Sequence, residues 1–211
     1  MKRFLVADDH PLFREALSGA LEPYFADTEI LEAGGLEPLQ DILNSDTQID
    51  LILLDLNMPG GEYFNGLITV KEMKPDVPVA VVSASEGIEI VAQVMSLGAN
   101  GYIPKSLPTK QVAEGIMKIM QGENWVPDEM REQLDQVDDE FSQLLTRFRE
   151  LTPKQIQVLT YLRSGLMNKQ IAHEMNVTEA TIKAHISAIL RKLEINTRTQ
   201  AVLLMDKLHL G

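Results

Sequence analysis

The sequence predicts a doubly wound α/β domain on a five-stranded parallel sheet, followed by a small all-α domain. Over residues 1–125, five short apolar runs alternate with five helical patterns, the signature of βα units. Beyond residue 150 every apolar periodicity is helical. The sign of the charge changes with it: residues 1–127 carry a formal net charge of −11, residues 128–150 carry −5, and residues 151–211 carry +4. An acidic body with a basic end indicates two domains with different partners.

The elements follow in order. Phe4-Leu5-Val6-Ala7 is a short buried strand. Residues 11–21 place Leu12, Phe13, Ala16, Leu17, Ala20 and Leu21 at helical spacing, with Pro11 in the first turn. Ile30-Leu31 is a second strand and Leu36–Leu43 a helix. Asp50 to Asp55 encloses a run apolar on both faces, as a central parallel strand requires. Val77–Val82 is another such run. Residues 86–97 form an amphipathic helix closed by Gly98, Tyr102-Ile103 a short edge strand, and 109–121 a helix stopped by Gly122.

Residues 126–150 form an acidic, helical linker. Within it and just beyond, Leu134, Val137, Phe141, Leu144, Phe148 and Leu151 recur at alternating spacings of three and four. This pattern fits one amphipathic helix lying on a neighbouring domain, or a dimer seam. Residues 151–211 carry four helical segments, near 153–164, 168–175, 179–193 and 197–207, punctuated by Gly165, Asn176 and Asn196.

Composition excludes some classes. With no cysteine there is neither a disulfide framework nor a thiolate zinc site. No apolar run is long enough to span a bilayer. Asp8 and Asp9 interrupt the first apolar run too early for a signal peptide. The expectation is a cytoplasmic protein without a membrane partner.

Two constellations carry chemistry. Asp8 and Asp9 follow the first strand, Asp55 ends the third, Ser83 ends the fourth and Lys105 follows the fifth. All sit at carboxyl ends of parallel strands, where open α/β sheets bind ligands. Clustered carboxylates repel unless a cation joins them, and Mg²⁺ accepts carboxylates together with phosphate oxygens. Asp55 would then act as nucleophile on a phosphoryl group, with Lys105 and the Ser83 hydroxyl meeting the transferred oxygens.

Val6-Ala7-Asp8-Asp9-His10, Leu53-Leu54-Asp55-Leu56-Asn57-Met58-Pro59-Gly60, Val82-Ser83-Ala84 and Gly101-Tyr102-Ile103-Pro104-Lys105 together resemble the receiver domain of two-component response regulators, a flavodoxin-like fold. The resemblance implies that Asp55 is the phosphoacceptor. It implies that Asp8, Asp9, Asp55 and the Asn57 backbone carbonyl hold Mg²⁺, and that Lys105 pairs with the phosphate. Ser83 and Tyr102 would be the switch residues and a sensor histidine kinase the donor. One departure is a loop about three residues longer after Pro59, where Tyr63 and Phe64 pack against the next helix, shield Asp55 or contact a partner.

In the basic region, Thr152-Pro153 opens a helix, Asn168 caps the next, and Thr178 caps a third that runs to Lys192. In that third helix Ile182, Ile186, Ile189, Leu190 and Leu193 face inward, leaving Lys183, Ser187, Arg191 and Lys192 on the surface, the division a recognition helix needs. Leu151-Thr152-Pro153, Gly165 to Ala172, Val177 to His185 and Arg191-Lys192-Leu193 resemble the LuxR/NarL-type helix-turn-helix domain. The resemblance implies that Lys183, Ala184 and Ser187 face the DNA groove, with Lys169, Thr181 and Arg191 at phosphates. Gln155 stands where many members carry Glu, which weakens an expected salt bridge. No chemistry is assigned to His10, His173 or His209, and none beyond packing or a phosphate contact to His185.

The sequence therefore predicts a phosphorylation-regulated DNA-binding transcriptional regulator that dimerises on activation, with the last helix (Ala201, Leu204, Leu208) as a dimer contact or a face hidden by the receiver. RNA polymerase is a further candidate partner. No enzymatic turnover is expected beyond self-phosphorylation and slow autodephosphorylation. A phosphohydrolase using Asp55 is the alternative, but the position of its general acid is occupied by Asn57. A DNA-binding regulator that works without phosphorylation is the third.

Overall fold

The computed structural model describes residues 1–60, 64–137 and 139–207, in two compact units divided between Gln136 and Val137. In the first unit, strands β1 (Lys2–Ala7), β2 (Thr28–Ala33), β3 (Leu51–Leu54), β4 (Val79–Ser83) and β5 (Gly101–Pro104) form one parallel sheet. The strand order is β2-β1-β3-β4-β5. The chain leaves β1 in one direction for β2, then returns past it to β3. That reversal opens a crevice beyond the carboxyl ends of β1 and β3.

Helices α1 (Pro11–Leu21), α2 (Leu36–Asn44), α3 (Asn65–Met73), α4 (Ile88–Ser96) and α5 (Thr109–Met120) connect and cover the strands. The period-two alternation of strand side chains decides which helices each residue meets. Phe4, Val6, Leu51, Leu53, Ala80, Val82 and Ile103 join Leu17 and Leu21 of α1 and Val112, Ile116 and Ile119 of α5 in one cluster. On the other face Leu54 approaches Gly66 of α3. Burying each such Leu, Ile, Val or Phe contributes about 1.5–3 kcal/mol.

Trp125 extends the sheet edge. Its carbonyl accepts from Tyr102 N at 3.0 Å and its amide donates to the Asn100 carbonyl at 2.9 Å. Its ring lies flat on Gly115 of α5: a Cβ there would sit 2.7 Å from Trp125 Cε3. Only a glycine admits that approach.

The acidic stretch forms two helices where one amphipathic helix was expected: α6 (Asp128–Leu134), packed on α4, and α7 (Asp139–Arg149) in the second unit. The apolar repeat is divided accordingly. Phe141, Leu144, Phe148 and Leu151 are buried, whereas Leu134 and Val137 are only half-buried.

The second unit adds α8 (Pro153–Arg163), α9 (Asn168–Glu174), α10 (Glu179–Lys192) and α11 (Arg198–Lys207). Thr152 and Gln155 form a reciprocal cap, with Gln155 N donating to Thr152 Oγ1 (3.3 Å) and Thr152 N to Gln155 Oε1 (2.9 Å). Thr178 Oγ1 accepts from Thr181 N at 3.1 Å, as its sequence position predicts. Asn168, expected to cap α9, is instead its first helical residue, and its side-chain oxygen accepts from Arg198 of α11 at 3.3 Å. Among the described residues, no helix is long and apolar enough to cross a membrane.

Candidate functional site

The strand ladder carries the acidic residues into the crevice. Asp8 N continues the pairing by donating to the Ala33 carbonyl (3.0 Å), Asp55 N donates to Ala7 (2.8 Å), and Lys105 N donates to Ser83 (2.8 Å). Backbones so registered hold the Asp8, Asp55 and Lys105 side chains at the same end of the sheet, after β1, β3 and β5. Lys105 Nζ lies 2.6 Å from Asp8 Oδ2 and 3.3 Å from Asp55 Oδ1, and its charge sits 4.6 Å from the centre of the Phe13 ring.

Asp8 is 1% exposed and Asp55 3%. Burial pushes the Asp55 carboxyl above its ordinary value of 3.8; the Lys105 charge opposes this, and the Asp8 charge adds to it. The Asn57 amide donates weakly to Asp55 Oδ2 at 3.3 Å.

Ligand atoms of Asp8, Asp9, His10 and Asp55 lie within 4.8 Å of one another. Asp8 Oδ2, Asp9 Oδ1 and Asp55 Oδ1 are buried and face nitrogen side chains, Asp8 and Asp55 meeting Lys105 Nζ and Asp9 meeting His10 Nδ1, so the three carboxylates converge where positive charge is already drawn in. An all-oxygen set of this kind suits a hard divalent ion such as Mg²⁺.

His10, to which the sequence assigned no chemistry, belongs to this cluster. Its Nδ1 lies 2.7 Å from Asp9 Oδ1 and 3.2 Å from Asp8 Oδ1. The signal that could have found it is Pro11, which holds His10 extended (φ −93°, ψ 102°) at the mouth of α1. Phe13 and Arg14, one helical turn on, also reach the cluster although their spacing reads as the opening of an ordinary amphipathic helix.

Ser83 and Tyr102 lie beside the cluster and are bonded elsewhere. Ser83 is fully buried and its Oγ accepts from Ser85 N at 3.2 Å. The Tyr102 ring is fully buried and its hydroxyl donates to the Ser85 carbonyl. Burial pushes the Tyr102 phenol up, with Glu86 and Asp55 adding to the effect and a hydrogen bond with Ser83 opposing it. Tyr63 lies outside the described residues. Phe64 is buried at the start of α3 with a left-handed backbone (φ 65°).

The candidate DNA-facing residues lie on the second unit. Ile182, Ile189 and Leu193 of α10 and its C-cap are buried, while Ile186 and Leu190 are half-buried. Lys183, Ala184, Ser187 and Arg191 are exposed, as is Lys169 on α9. Thr181 is half-buried, its hydroxyl 2.9 Å from that of Thr178. Lys183 Nζ pairs with Glu179 at 3.0 Å.

Gln155 Oε1 accepts from Lys192 Nζ at 2.8 Å, a hydrogen bond to a neutral amide rather than an ion pair. On α11, Ala201 is buried within its own unit, where α11 packs on α8, and Leu204 is half-buried. Leu203 is 61% exposed. Leu208 and His209 lie outside the described residues.

Comparison with known proteins gives two family matches, the response regulator receiver domain over residues 4–117 and the luxR family of bacterial regulatory proteins over 149–205. The chain is similar to a glycerol metabolism activator of Pseudomonas putida, at 39% identity over 96% of this chain and 94% of the relative. It is 32% identical to the nitrate/nitrite response regulator protein NarP of Escherichia coli K12, over 95% of this chain and 92% of that one. Among solved structures, the RcsB response regulator of Salmonella typhimurium superposes with a TM-score of 0.60 at 19% identity, covering 98% of this chain and 100% of that one. A LuxR family DNA-binding response regulator from Silicibacter pomeroyi gives a TM-score of 0.55 at 29% identity, covering 61% of this chain and 99% of that one.

Proposed function

Since the chain belongs to the bacterial response regulators that join a receiver domain to a LuxR-family domain, we propose that it is a transcription factor whose DNA binding is gated by phosphorylation of Asp55. The observation that carries this reading is the convergence of Asp8, Asp9, Asp55 and Lys105 at the strand ends.

The donor is a phosphohistidine on a sensor histidine kinase, or a small acyl phosphate or phosphoramidate. An Asp55 carboxylate oxygen forms the new P–O bond as the donor's P–N or P–O bond breaks; a nitrogen leaving group takes a proton from solvent, and a carboxylate leaves as the anion. Asp8, Asp9, Asp55 and the Asn57 carbonyl would hold Mg²⁺, which supplies positive charge for the transferred oxygens. Lys105 then leaves its carboxylate partners to pair with the phosphoryl group. Self-phosphorylation from small donors and slow hydrolysis of the acyl phosphate are its only chemistry.

Ser83 and Tyr102 act as the switch. To meet a phosphoryl oxygen, the Ser83 hydroxyl must give up its bond within the turn after β4, and the Tyr102 hydroxyl follows from the Ser85 carbonyl. The second unit binds double-stranded promoter DNA through Lys183, Ala184 and Ser187 in the major groove, with Lys169, Thr181 and Arg191 at the backbone. Activation promotes a homodimer on paired half-sites, working in the cytoplasm with RNA polymerase as a downstream contact. The exposed basic and small side chains of α10 support this assignment.

The test is operator binding and oligomer size, with and without a small phosphodonor and Mg²⁺. Tighter binding and a larger species in the wild type, both absent in Asp55→Asn, are expected. A donor response that survives Asp55→Asn overturns the assignment.

A further inference from the structure

Every polar atom of Asp8 has an assigned neighbour, and one of those neighbours has no role in the chemistry above. The Asp8 amide donates to the Ala33 carbonyl at 3.0 Å. Its Oδ1 accepts from His10 N at 2.8 Å, and its Oδ2 meets Lys105 at 2.6 Å. Its carbonyl lies past the last β1–β3 pair and is met by Arg14 Nη1 at 2.6 Å.

The same guanidinium is held from the other side, its Nε donating to Glu32 Oε2 at 2.6 Å. The Arg14 side chain is 15% exposed. It spans the first turn of α1, the end of β1 and the end of β2. A planar fork with donors in fixed directions suits this three-point junction, and a lysine ammonium does not reproduce it.

We propose that Arg14, set by Glu32, is a positioning residue for the cation site: it holds the Asp8 carbonyl and so fixes the direction in which the Asp8 and Asp9 carboxylates project. The inference rests on the reading of that cluster as a cation site. Asp8 is buried, so a carbonyl stripped of its donor must turn to find another. Rotating the peptide after Asp8 swings the Asp9 side chain directly. Partners that orient metal-ligating carboxylates typically change metal affinity by about 10–100-fold when removed.

The test is Mg²⁺ titration of the full chain by calorimetry, well below the melting temperature, on wild type, Arg14→Met, Arg14→Lys, Glu32→Gln and Asp55→Asn. Arg14→Met keeps the aliphatic stem and loses both hydrogen bonds, and should weaken Mg²⁺ binding about tenfold or more. Arg14→Lys, able to meet one partner, should recover part of the loss, and Glu32→Gln should cost a few-fold. A role confined to stability would lower the melting temperature without moving the affinity.

Wild-type Mg²⁺ affinity in Arg14→Met overturns the proposal. If Arg14→Met does not fold, wild-type affinity in both Arg14→Lys and Glu32→Gln overturns it equally. If the wild type itself binds no Mg²⁺, it is the cation-site reading that fails, and this inference falls with it.

Discussion

Replacing Asp55 with Asn should stabilise the protein when no divalent ion is present. Asp55 faces Asp8 and Asp9 with ligand atoms no more than 4.8 Å apart. At an effective dielectric of about 20, each such like-charged pair repels by about 3 kcal/mol. Lys105 at 3.3 Å returns about 5 kcal/mol of attraction under the same assumption. Asp9 is partly exposed and its share is screened, while burial of the Asp55 charge adds cost. The charge–charge contributions nearly cancel, burial tips the balance against the ionised carboxyl, and Asp55→Asn should gain about 1–2 kcal/mol. For a unit of this size that is about 3–8 °C in melting temperature.

The pH dependence has a definite sign. The folded carboxyl holds its proton more tightly than the unfolded one, whose value is near 3.8. The native state therefore binds more protons in that window, and wild-type stability falls as pH rises through it. The advantage of Asp55→Asn should shrink toward pH 3.8 and be full at neutral pH. Adding Mg²⁺ at 100 times its dissociation constant should stabilise the wild type by about 2.7 kcal/mol, with a smaller gain in the variant. Thermal denaturation in EDTA and in Mg²⁺ measures both. A variant less stable than wild type in EDTA, or equal stabilisation of both by Mg²⁺, would refute the buried-charge argument.

Three further outcomes are expected. Gly115→Ala should destabilise the first unit by about 1–3 kcal/mol in urea, because its Cβ would meet the Trp125 ring at 2.7 Å; the emission of Trp125, the sole tryptophan, reports the displacement. Gln155→Glu should change the stability of the second unit by no more than about 1 kcal/mol, because Gln155 is buried and desolvation of the new charge offsets its attraction to Lys192, 2.8 Å from the Gln155 oxygen; urea denaturation measures it, and high salt should alter it little. Lys183→Ala should weaken operator binding by about 1–3 kcal/mol and relax the base preference at the position it meets, despite removing an exposed pair with Glu179 worth little by itself; unchanged affinity at moderate salt would remove Lys183 from the groove.

The amino-acid sequence alone determined the alternation of strands and helices, the split of charge between two units, and which residues end each parallel strand. These are local properties. Apolar runs such as Leu51–Leu54 have only one way to be buried, and a residue directly after a parallel strand must lie at its carboxyl end. Asp8, Asp55 and Lys105 could therefore be gathered before any coordinates existed.

The tertiary structure decided what depends on distant neighbours. The acidic stretch reads as one heptad-like helix by periodicity, yet Leu134 ends α6 in the first unit and Phe141 lies on α7 in the second. Asn168 has the chemistry of a cap, but Arg198, thirty residues on, takes its side chain. His10, Phe13 and Arg14 look like the opening of an ordinary amphipathic helix. They reach the acidic cluster because the register of β1 with β2 and β3 sets the end of the sheet beneath that first turn. Periodicity in a chain records which face a side chain occupies; the partner waiting at that face is set by the packing of elements far apart in sequence.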